Sequence, residues 1–570
     1  MDQNQAQHDT GVNAEKESTK GKIFNDPIHG TIEMHPACIS IIDTPQFQRL
    51  RHIKQLDTCY LVYPGASHNR FEHSIGVSYL AGKLLRSIRQ HQPNEPITDR
   101  DILCVEIAGL CHDLGRGPFS YVFEKMFMKE KRANYKHRNT AKKMFEYMLS
   151  ADDFALKKKI QEDIASCNTP EFTHFDEKDF IFITEMIDQP KDIVRQPWPH
   201  KGRDESKSYM YEIVANKRNG IDVDKWDYLA RDSYMLGVKT NFDYNRCFAT
   251  ARVLVSNGLN GDDETGDNES REGSNASQRG EVLPIVPRKQ ICYREKEAQG
   301  LYDMFYTKMV LTRQAYQHKT HTVIRTMILD VLKKADESIK FNGKRISETV
   351  DDPEAFTQLT DDIILLILYP PTGFVMRSPY QTEWADEHGV VARVEEIRAE
   401  ERIKKDLQEA KKVMTDILKR KLYKFVGQTQ IKRGKVDEKD FKEQLLTIMT
   451  QHRNEPVEVD LFHCYFMNLH YGENSKDPLR KIRFYGKADI NHAISLEKNQ
   501  VSFVLPATFA EQIIRIYSKV PDTDPRFKQI GQAFTKWCRD NNCPEPKYSY
   551  EQSRDEVNQQ DQVLYERPQE

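Results

Sequence analysis

Two histidines and two aspartates, far apart along the chain, are of the types that hold a divalent cation. His112 and Asp113 sit side by side near the end of an apolar run in CVEIAGLCHDLGRGPFSY, residues 104–121, which breaks at Gly115 and again at Gly117-Pro118. Val105, Ile107, Ala108, Leu110 and Cys111 mark that run as a buried helix. A carboxylate at the end of a buried helix is costly to desolvate unless a cation meets it. Neighbouring residues on a helix diverge by about 100°, so further ligands must come from other segments. His73, in the periodic stretch NRFEHSIGVSYLAGKLL, and Asp224, in GIDVDKWDYLARD, are the candidates. Together His73, His112, Asp113 and Asp224 form a two-nitrogen, two-oxygen set that suits iron, manganese or zinc better than magnesium alone. Four protein ligands leave positions open for water and a phosphate oxygen. A cation there would acidify its water and neutralise charge developing on a phosphoryl group. The alternative is four separate core or surface residues with no common task.

Phosphate-binding side chains fall in the same segments. Arg70 precedes His73 by three residues at a loop-to-helix start, Lys225 follows Asp224 directly, and Tyr228 lies one helical turn beyond it. The stretch TKMVLTRQAYQHK adds Lys308, Arg313, Tyr316, His318 and Lys319. Each cation alone reads more readily as a solvated surface charge. Their grouping around one metal site is what points to a polyphosphate. Lysine and arginine beside an aromatic fit a nucleoside triphosphate, whose base or sugar stacks where its phosphates are clamped.

The elements that must position these residues are mostly helices. The fold class expected is mainly α, a helical core over residues 22–430 with a smaller α+β lobe over 431–540. Residues 1–21 are polar and read as a disordered tail, as do residues 541–570. Asp43-Thr44-Pro45 reads as a helix start with a capping residue and a proline in the first turn. Phe47, Leu50, Ile53 and Leu56 then mark one buried face. PGASHNRF is a loop feeding the His73 helix. Further helices are expected at 142–149, at 180–187, through GIDVDKWDYLARDSYML, through KEAQGLYDMFYTKMVLTRQAYQHKTHTVIRTMILDVLKKAD, and over 394–425. Residues 257–281, acidic and rich in glycine and serine, read as a mobile insert within the core. Past Gln430 the text alternates, in VEVDLFHCYFMNL and KIRFYGK, as strands do.

Composition removes several classes. The chain has 570 residues, 30% of them charged, and no apolar run of about 18 residues, so no membrane span is expected. The N-terminus has no apolar signal core. The net charge of -3 gives no global attraction to nucleic acid, although local basic clusters leave single-stranded nucleic acid possible as a ligand. Ten scattered cysteines without CxxC spacing suit a reducing compartment, so nucleus and/or cytoplasm is the expected location.

The residues also carry a resemblance. NDPIHG, IIDTPQFQRLR, PGASHNRFEHS, AGLCHDLG, GPFS, GIDVDKWDY, LYDMF, AYQHK and KNQV are similar to the metazoan sterile-alpha-motif and HD-domain deoxynucleoside triphosphate triphosphohydrolases, within the HD phosphohydrolase superfamily. The similarity runs from about residue 22 to about residue 521. It implies a helical HD core and cleavage between the deoxynucleoside 5′ oxygen and the α-phosphorus, releasing deoxynucleoside and triphosphate. It assigns His73, His112, Asp113 and Asp224 to the metal. Gln55 and Leu56 would face the sugar, Asp232 contact it, and Tyr316 pack on sugar and base. Arg70, Lys225 and Tyr228 would hold phosphates, and His137 stand near the α-phosphate. Lys22, Asp43, Gln48 and Arg51 correspond to a site that reads guanine in a GTP activator; Asp43 could accept from both N1 and N2 of guanine. Arg246, Arg294, Lys296, Lys319, Arg420, Lys424 and Lys487 match a second, deoxynucleotide activator site that bridges subunits. An activator-built homo-oligomer, dimer to tetramer, is implied, with magnesium carried by the nucleotide. Without the resemblance, Asp43 reads equally as a helix cap.

Departures from the family pattern converge on the pocket. Arg116 stands where the family has histidine, and Tyr121 replaces a second histidine, the family's leaving-oxygen acid. Arg138 replaces the acid beside His137, and Thr312 a histidine of the substrate wall. Lys308 replaces a phosphate-binding arginine, keeping charge but losing bidentate geometry. Thr250 and Gly300 replace an aromatic and an amide of the activator site, and the sterile-alpha-motif domain has no counterpart. Tyrosine, with a reference pKa near 10, is a poorer acid at pH 7, and losing a well-matched acid costs roughly 10² to 10⁴ in rate. Arg116 would compensate in part as a clamp on phosphate, and His137 or Tyr121 would assist the leaving group. The expected function is therefore metal-dependent dNTP hydrolysis. The alternative is a nucleotide-gated oligomeric binding protein with weak or lost catalysis.

Overall fold

The computed structural model describes residues 21–151, 156–167, 175–189, 198–256, 287–370, 387–431, 436–453 and 460–546, with side chains of 387–400 and 452–453 left aside. The expected tail 1–21, apart from Gly21, and the insert 257–281 lie outside them. So does most of the expected tail 541–570, but Thr429 Oγ1 donates to the Pro544 carbonyl at 2.6 Å and Pro546 is buried.

The mainly α fold with a mixed C-terminal region is the one the periodicity predicts. Two antiparallel strands, Lys22–Asp26 and Gly30–Met34, open the core. The helices that matter for the site follow. Arg70–His91 starts with a capping box between Asn69 and Glu72. Asp99–Cys111 starts with another, between Thr98 and Asp101, and the apolar run predicted for it is buried. His137–Ser150 and Val223–Leu236 complete the cluster; the second is capped by Asp222 and closed by Gly237 at φ 68°. Glycine allows two close approaches. A Cβ at Gly76 would lie 1.9 Å from Asp227 Oδ1, and one at Gly115 would lie 2.0 Å from the His137 carbonyl oxygen. Both distances are far inside contact, so these helices reach the site only because the two positions lack side chains.

The C-terminal region is built on a three-stranded antiparallel sheet whose middle strand is Ala510–Ser518, between Lys424–Ile431 and Phe462–His470. Its two faces divide by the period of two. Tyr465, Met467, Ile513 and Tyr517 join the main core, whereas Phe462, Ile514 and Ile516 join a second core under the helices Glu438–Arg453 and Pro525–Asp540. The sheet thus begins before residue 431. The KIRFYGK strand belongs elsewhere: Phe484–Tyr485 pairs in parallel with Arg288–Arg294 of the main core.

Two local expectations are corrected. The helix expected over 394–425 runs from Glu387 to Leu418, and residues from Lys424 on are strand. Arg420 adopts φ 60°, which ends the helix without a glycine or proline. At the start of the helix Pro45–Gln48, the cap is Thr44, whose hydroxyl accepts from Phe47 N at 3.3 Å. Asp43 instead closes the helix Pro36–Ile42 through its backbone, and its exposed carboxylate makes no bond to the described residues. Thr44→Ala should therefore cost about 1 kcal/mol of stability and Asp43→Ala nothing measurable, read by urea unfolding.

Candidate metal and nucleotide site

Three helices bring the ligand candidates together. A ligand atom each from His73, His112 and Asp224 lies within 4.8 Å of the others. His73 Nε2 is 3.3 Å from Asp224 Oδ1, and His112 Nε2 is 3.8 Å from it. Asp113, the fourth candidate, lies beside this group of three: its Oδ2 is 3.8 Å from His73 Nε2 and its Oδ1 3.6 Å from His112 Nε2. Its carboxylate is also gripped by two guanidinium groups, Arg70 at 2.7 Å and Arg116 at 2.8 Å. Both imidazole rings are oriented from behind. His73 Nδ1 meets Asp227 Oδ2 at 2.7 Å, and His112 Nδ1 donates to the Gly109 carbonyl at 2.6 Å. That leaves both Nε2 atoms buried and without a hydrogen-bond partner. Buried nitrogens are rarely left so. Their lone pairs, facing two carboxylates, fit a divalent cation.

The two rings differ in charge. Burial would lower the His73 pKa, but the Asp224 and Asp227 carboxylates outweigh it and lift the ring to about 9, so a cation binding there must displace the Nε2 proton. His112 is lowered, chiefly by burial, so that it is neutral near pH 7 as a ligand must be. Burial would raise the Asp224 carboxyl, yet the two imidazoles hold it below its ordinary range.

Behind His73 lies a support that sequence reasoning missed. Asp227 Oδ1 meets His29 Nε2 at 2.6 Å, and both of its oxygens accept from Arg231 at 2.9 Å. Arg231 also donates to Asp26 Oδ2, whose other oxygen accepts from the backbone N–H of Ile28 and His29. The NDPIHG turn is thus a brace for the metal-facing histidine. Its signal was available: Asp227 lies three residues after Asp224, on nearly the same helix face.

Of Gln55, Leu56, Asp232 and Tyr316, expected along the substrate, Leu56, Tyr316 and Asp232 lie together. Leu56 and Tyr316 pack in one apolar cluster with Cys59, Ala66 and Ala315. Tyr316 Oη donates to Asp232 Oδ2 at 2.6 Å, and His68 Nε2 meets Asp232 Oδ1 at 2.6 Å. The Gln55 side-chain oxygen is buried without a partner. Tyr228 belongs to the same region, its hydroxyl pushed well up by burial and by Asp224, Asp222 and Asp232. Lys225 donates to the Gly220 carbonyl, and Lys308 is lowered to about 8 by burial and by Lys225.

Other members of the proposed phosphate cluster do not converge. Arg313 pairs with Glu511 at 2.5 Å, and His318 caps the helix Lys319–Ala335. Arg70 is committed within the protein, donating to Asp113, the Gln55 carbonyl and Ser120.

Around His137 the missed residue is Glu124. Its Oε2 lies 2.9 Å from His137 Nδ1 and 3.0 Å from Arg116 Nη1. It supplies the acid that Arg138 does not; Arg138 instead donates to the Ile187 carbonyl. Burial first, then Arg116, lowers His137 to about 4 against the opposing pull of Glu124. Tyr121 makes no bond to the His137–Glu124 pair among the described residues; its hydroxyl lies 3.5 Å from that of Tyr465. π-helical turns follow it at Val122–Phe127 and line the opposite segment at Thr312–Tyr316. Such turns are frequent at functional sites.

The activator candidates form separate groups. Gln48 Oε1 accepts from Arg51 Nε at 2.7 Å, while exposed Lys22 lies on the first strand. Arg246 pairs with Glu297, from which Lys296 lies 3.9 Å, and Arg294 is the strand partner of Tyr485, two residues before Lys487. Lys319 lies over the Phe425 ring, next to Lys424, and Arg420 donates to the Leu61 carbonyl. No helix of the described residues is long and apolar enough to cross a membrane.

Fold and site together define an HD-domain protein: the HD domain family model matches residues 70–232, a span that holds all four candidate ligands. The mouse protein called deoxynucleoside triphosphate triphosphohydrolase SAMHD1 is 41% identical over 530 residues, covering 91% of this chain and 71% of the relative. The human protein of that name is 41% identical over 540 residues, covering 92% and 75%. A Dictyostelium discoideum homolog is 32% identical over 555 residues, covering 97% and 87%. The chain belongs to the SAMHD1 family of deoxynucleoside triphosphate triphosphohydrolases.

Proposed function

We propose that this chain hydrolyses deoxynucleoside triphosphates to deoxynucleoside and intact triphosphate at the His73, His112, Asp113 and Asp224 site. The observation that carries this reading is the pair of buried, unpartnered imidazole nitrogens beside two carboxylates, with the Leu56–Asp232–Tyr316 wall assembled from the same elements. A divalent ion bound there, of iron, manganese or zinc, supplies Lewis acidity and an acidified water, with magnesium carried by the nucleotide. The protein's own residues do the rest. Asp227 and the Gly109 carbonyl fix the ligand tautomers, and Arg70 and Arg116 hold Asp113 in place while adding positive charge beside it. Lys225 and Lys308 face the phosphates. Tyr316 and Leu56 pack on base and sugar, with Asp232 held by His68 for the sugar. His137, neutral at pH 7, is a proton acceptor in the resting protein, so Tyr121 is the candidate donor to the leaving oxygen.

Activation by GTP and a dNTP is part of the reading. Asp43, whose carboxylate caps no helix, can accept from guanine N1 and N2, beside the Gln48–Arg51 pair. The Arg246, Arg294, Lys296 and Lys487 group and the Lys319, Arg420 and Lys424 group sit on different elements. A nucleotide held by both groups would join copies of the chain. A second reading, nucleotide-gated binding with feeble turnover, draws on Arg116, whose ion pairs with Asp113 and Glu124 place a fixed charge beside the site.

The two readings part on one experiment. Protein loaded with manganese is incubated with dGTP, GTP and magnesium, and the products are separated by ion exchange. Release of tripolyphosphate at an ordinary enzyme's rate supports the first. Nucleotide-driven assembly without it supports the second. Arg116→Gln should raise the His137 pKa from about 4 toward 6.5, since it removes a cation and leaves Glu124; an imidazole titration by NMR reads the shift.

A further inference from the structure

A buried ion cluster stands outside everything assigned above. Arg325, 4% exposed, grips both oxygens of Asp57 through Nε and Nη2, at 2.5 to 3.0 Å. His321, fully buried, meets the same carboxylate through Nε2 at 2.6 Å and the Ala315 carbonyl through Nδ1 at 3.0 Å. Asp57 adopts φ 47°, a conformation that a side chain rarely takes and that the surrounding structure must impose. Replacing such a cluster with apolar residues is often neutral or stabilising, so net stability is a weak reason for its presence.

What the cluster touches gives a better reason. Asp57 follows Leu56 directly. Arg325 Nη1 donates to the Tyr316 carbonyl at 2.6 Å, and its guanidinium carbon lies 4.6 Å from the centre of the Tyr121 ring. The Tyr121 hydroxyl lies 3.5 Å from that of Tyr465, brought from the C-terminal sheet. One planar cation therefore fixes the Leu56 loop, the π-helical turn bearing Tyr316, and the tyrosine that replaces the family's acid histidine. A lysine could not do all three, lacking both the fork and the flat face.

We propose that Arg325, held by Asp57 and His321, is the positioning residue of this active site: it sets the Tyr121 ring for proton delivery and the Tyr316 wall for the nucleotide. The inference rests on the proposed triphosphohydrolase reading. In the substrate complex the Tyr121 hydroxyl would give its proton to the departing 5′ oxygen as the bond from that oxygen to phosphorus breaks, and would regain one from water. Arg325 transfers nothing. It fixes the ring.

The test is a double-mutant cycle of Arg325→Met with Tyr121→Phe, read in kcat and KM for triphosphate release from dGTP. Arg325→Met should lower kcat by about 10²-fold, the scale of a misplaced catalytic group, and raise KM through the displaced Tyr316. In the Tyr121→Phe background the same change should lower kcat by less than about threefold, because the group it positions is gone, while KM still rises. Multiplying kcat effects, or an unchanged KM, overturn the inference. Arg325→Lys, which keeps the charge and stem, should fold and show the same split in milder form; wild-type kinetics from it would also count against the proposal. If the wild-type protein releases no triphosphate, the functional reading fails and the cycle is read in dGTP affinity. Arg325→Met must then weaken binding by about tenfold or more through Tyr316, and unchanged affinity overturns the positioning role.

Discussion

Replacing His112 by alanine is expected to leave a folded chain that retains no divalent cation and releases no measurable triphosphate. The imidazole has one bond to the protein, to the Gly109 carbonyl, so its loss should cost the fold only about 1–3 kcal/mol. The catalytic loss is larger. Lewis-acid stabilisation is worth several kcal/mol, which at about 1.4 kcal/mol per tenfold means a fall of about 10³-fold or more. Metal content by mass spectrometry, thermal unfolding and triphosphate release read the three parts separately. A variant that kept both metal and turnover would remove His112 from the site.

The second large effect is expected one layer out, at Asp227. This carboxylate receives His29, His73 and two nitrogens of Arg231, all within 2.9 Å and all buried. Asp227→Ala leaves the Arg231 guanidinium with Asp26 alone, and breaking a buried pair from one side costs about 3–5 kcal/mol. Asp227→Asn keeps the shape but weakens the hold on His73, and such outer partners are worth about 10- to 100-fold in metal affinity. The pH sign follows from the direction of the shift. Burial would raise the Asp227 carboxyl, but Arg231, His29 and His73 hold it well below 3.8. Its contribution to stability is therefore complete above the unfolded value of 3.8 and is lost only as pH falls through the lower folded value. Acid unfolding of wild type and Asp227→Asn should converge at low pH and separate above about pH 4. Curves that separate instead at neutral pH alone would contradict this.

The candidate ligand set was legible in the sequence because each of its residues interrupts an apolar face. An HD pair closing a buried helix, and a histidine and an aspartate inside other apolar helices, cannot be left uncompensated. The brace behind them was less legible. Asp227 and Arg231 are spaced as an ordinary i, i+4 surface pair, and nothing in the sequence says that both are buried. Glu124 was hidden for another reason: it reaches His137 through a π-helical turn, which shifts side chains off the 3.6-residue period used to place them. The helix expected to reach residue 425 stops at Leu418 because Arg420 takes a left-handed conformation, and KRKLYKF contains no glycine or proline to announce it. Arg325 and Asp57 are 268 residues apart, so their pairing is a product of tertiary packing alone.

In the proposed reaction water attacks the α-phosphorus at this site while the deoxynucleoside leaves with its own oxygen. Hydrolysis of dGTP by the metal-loaded, GTP-activated protein in ¹⁸O-water, followed by mass spectrometry of both products, tests it most directly. The predicted result is one ¹⁸O in the tripolyphosphate and none in the deoxyguanosine. Label in the nucleoside, or pyrophosphate or monophosphate in place of tripolyphosphate, would contradict it.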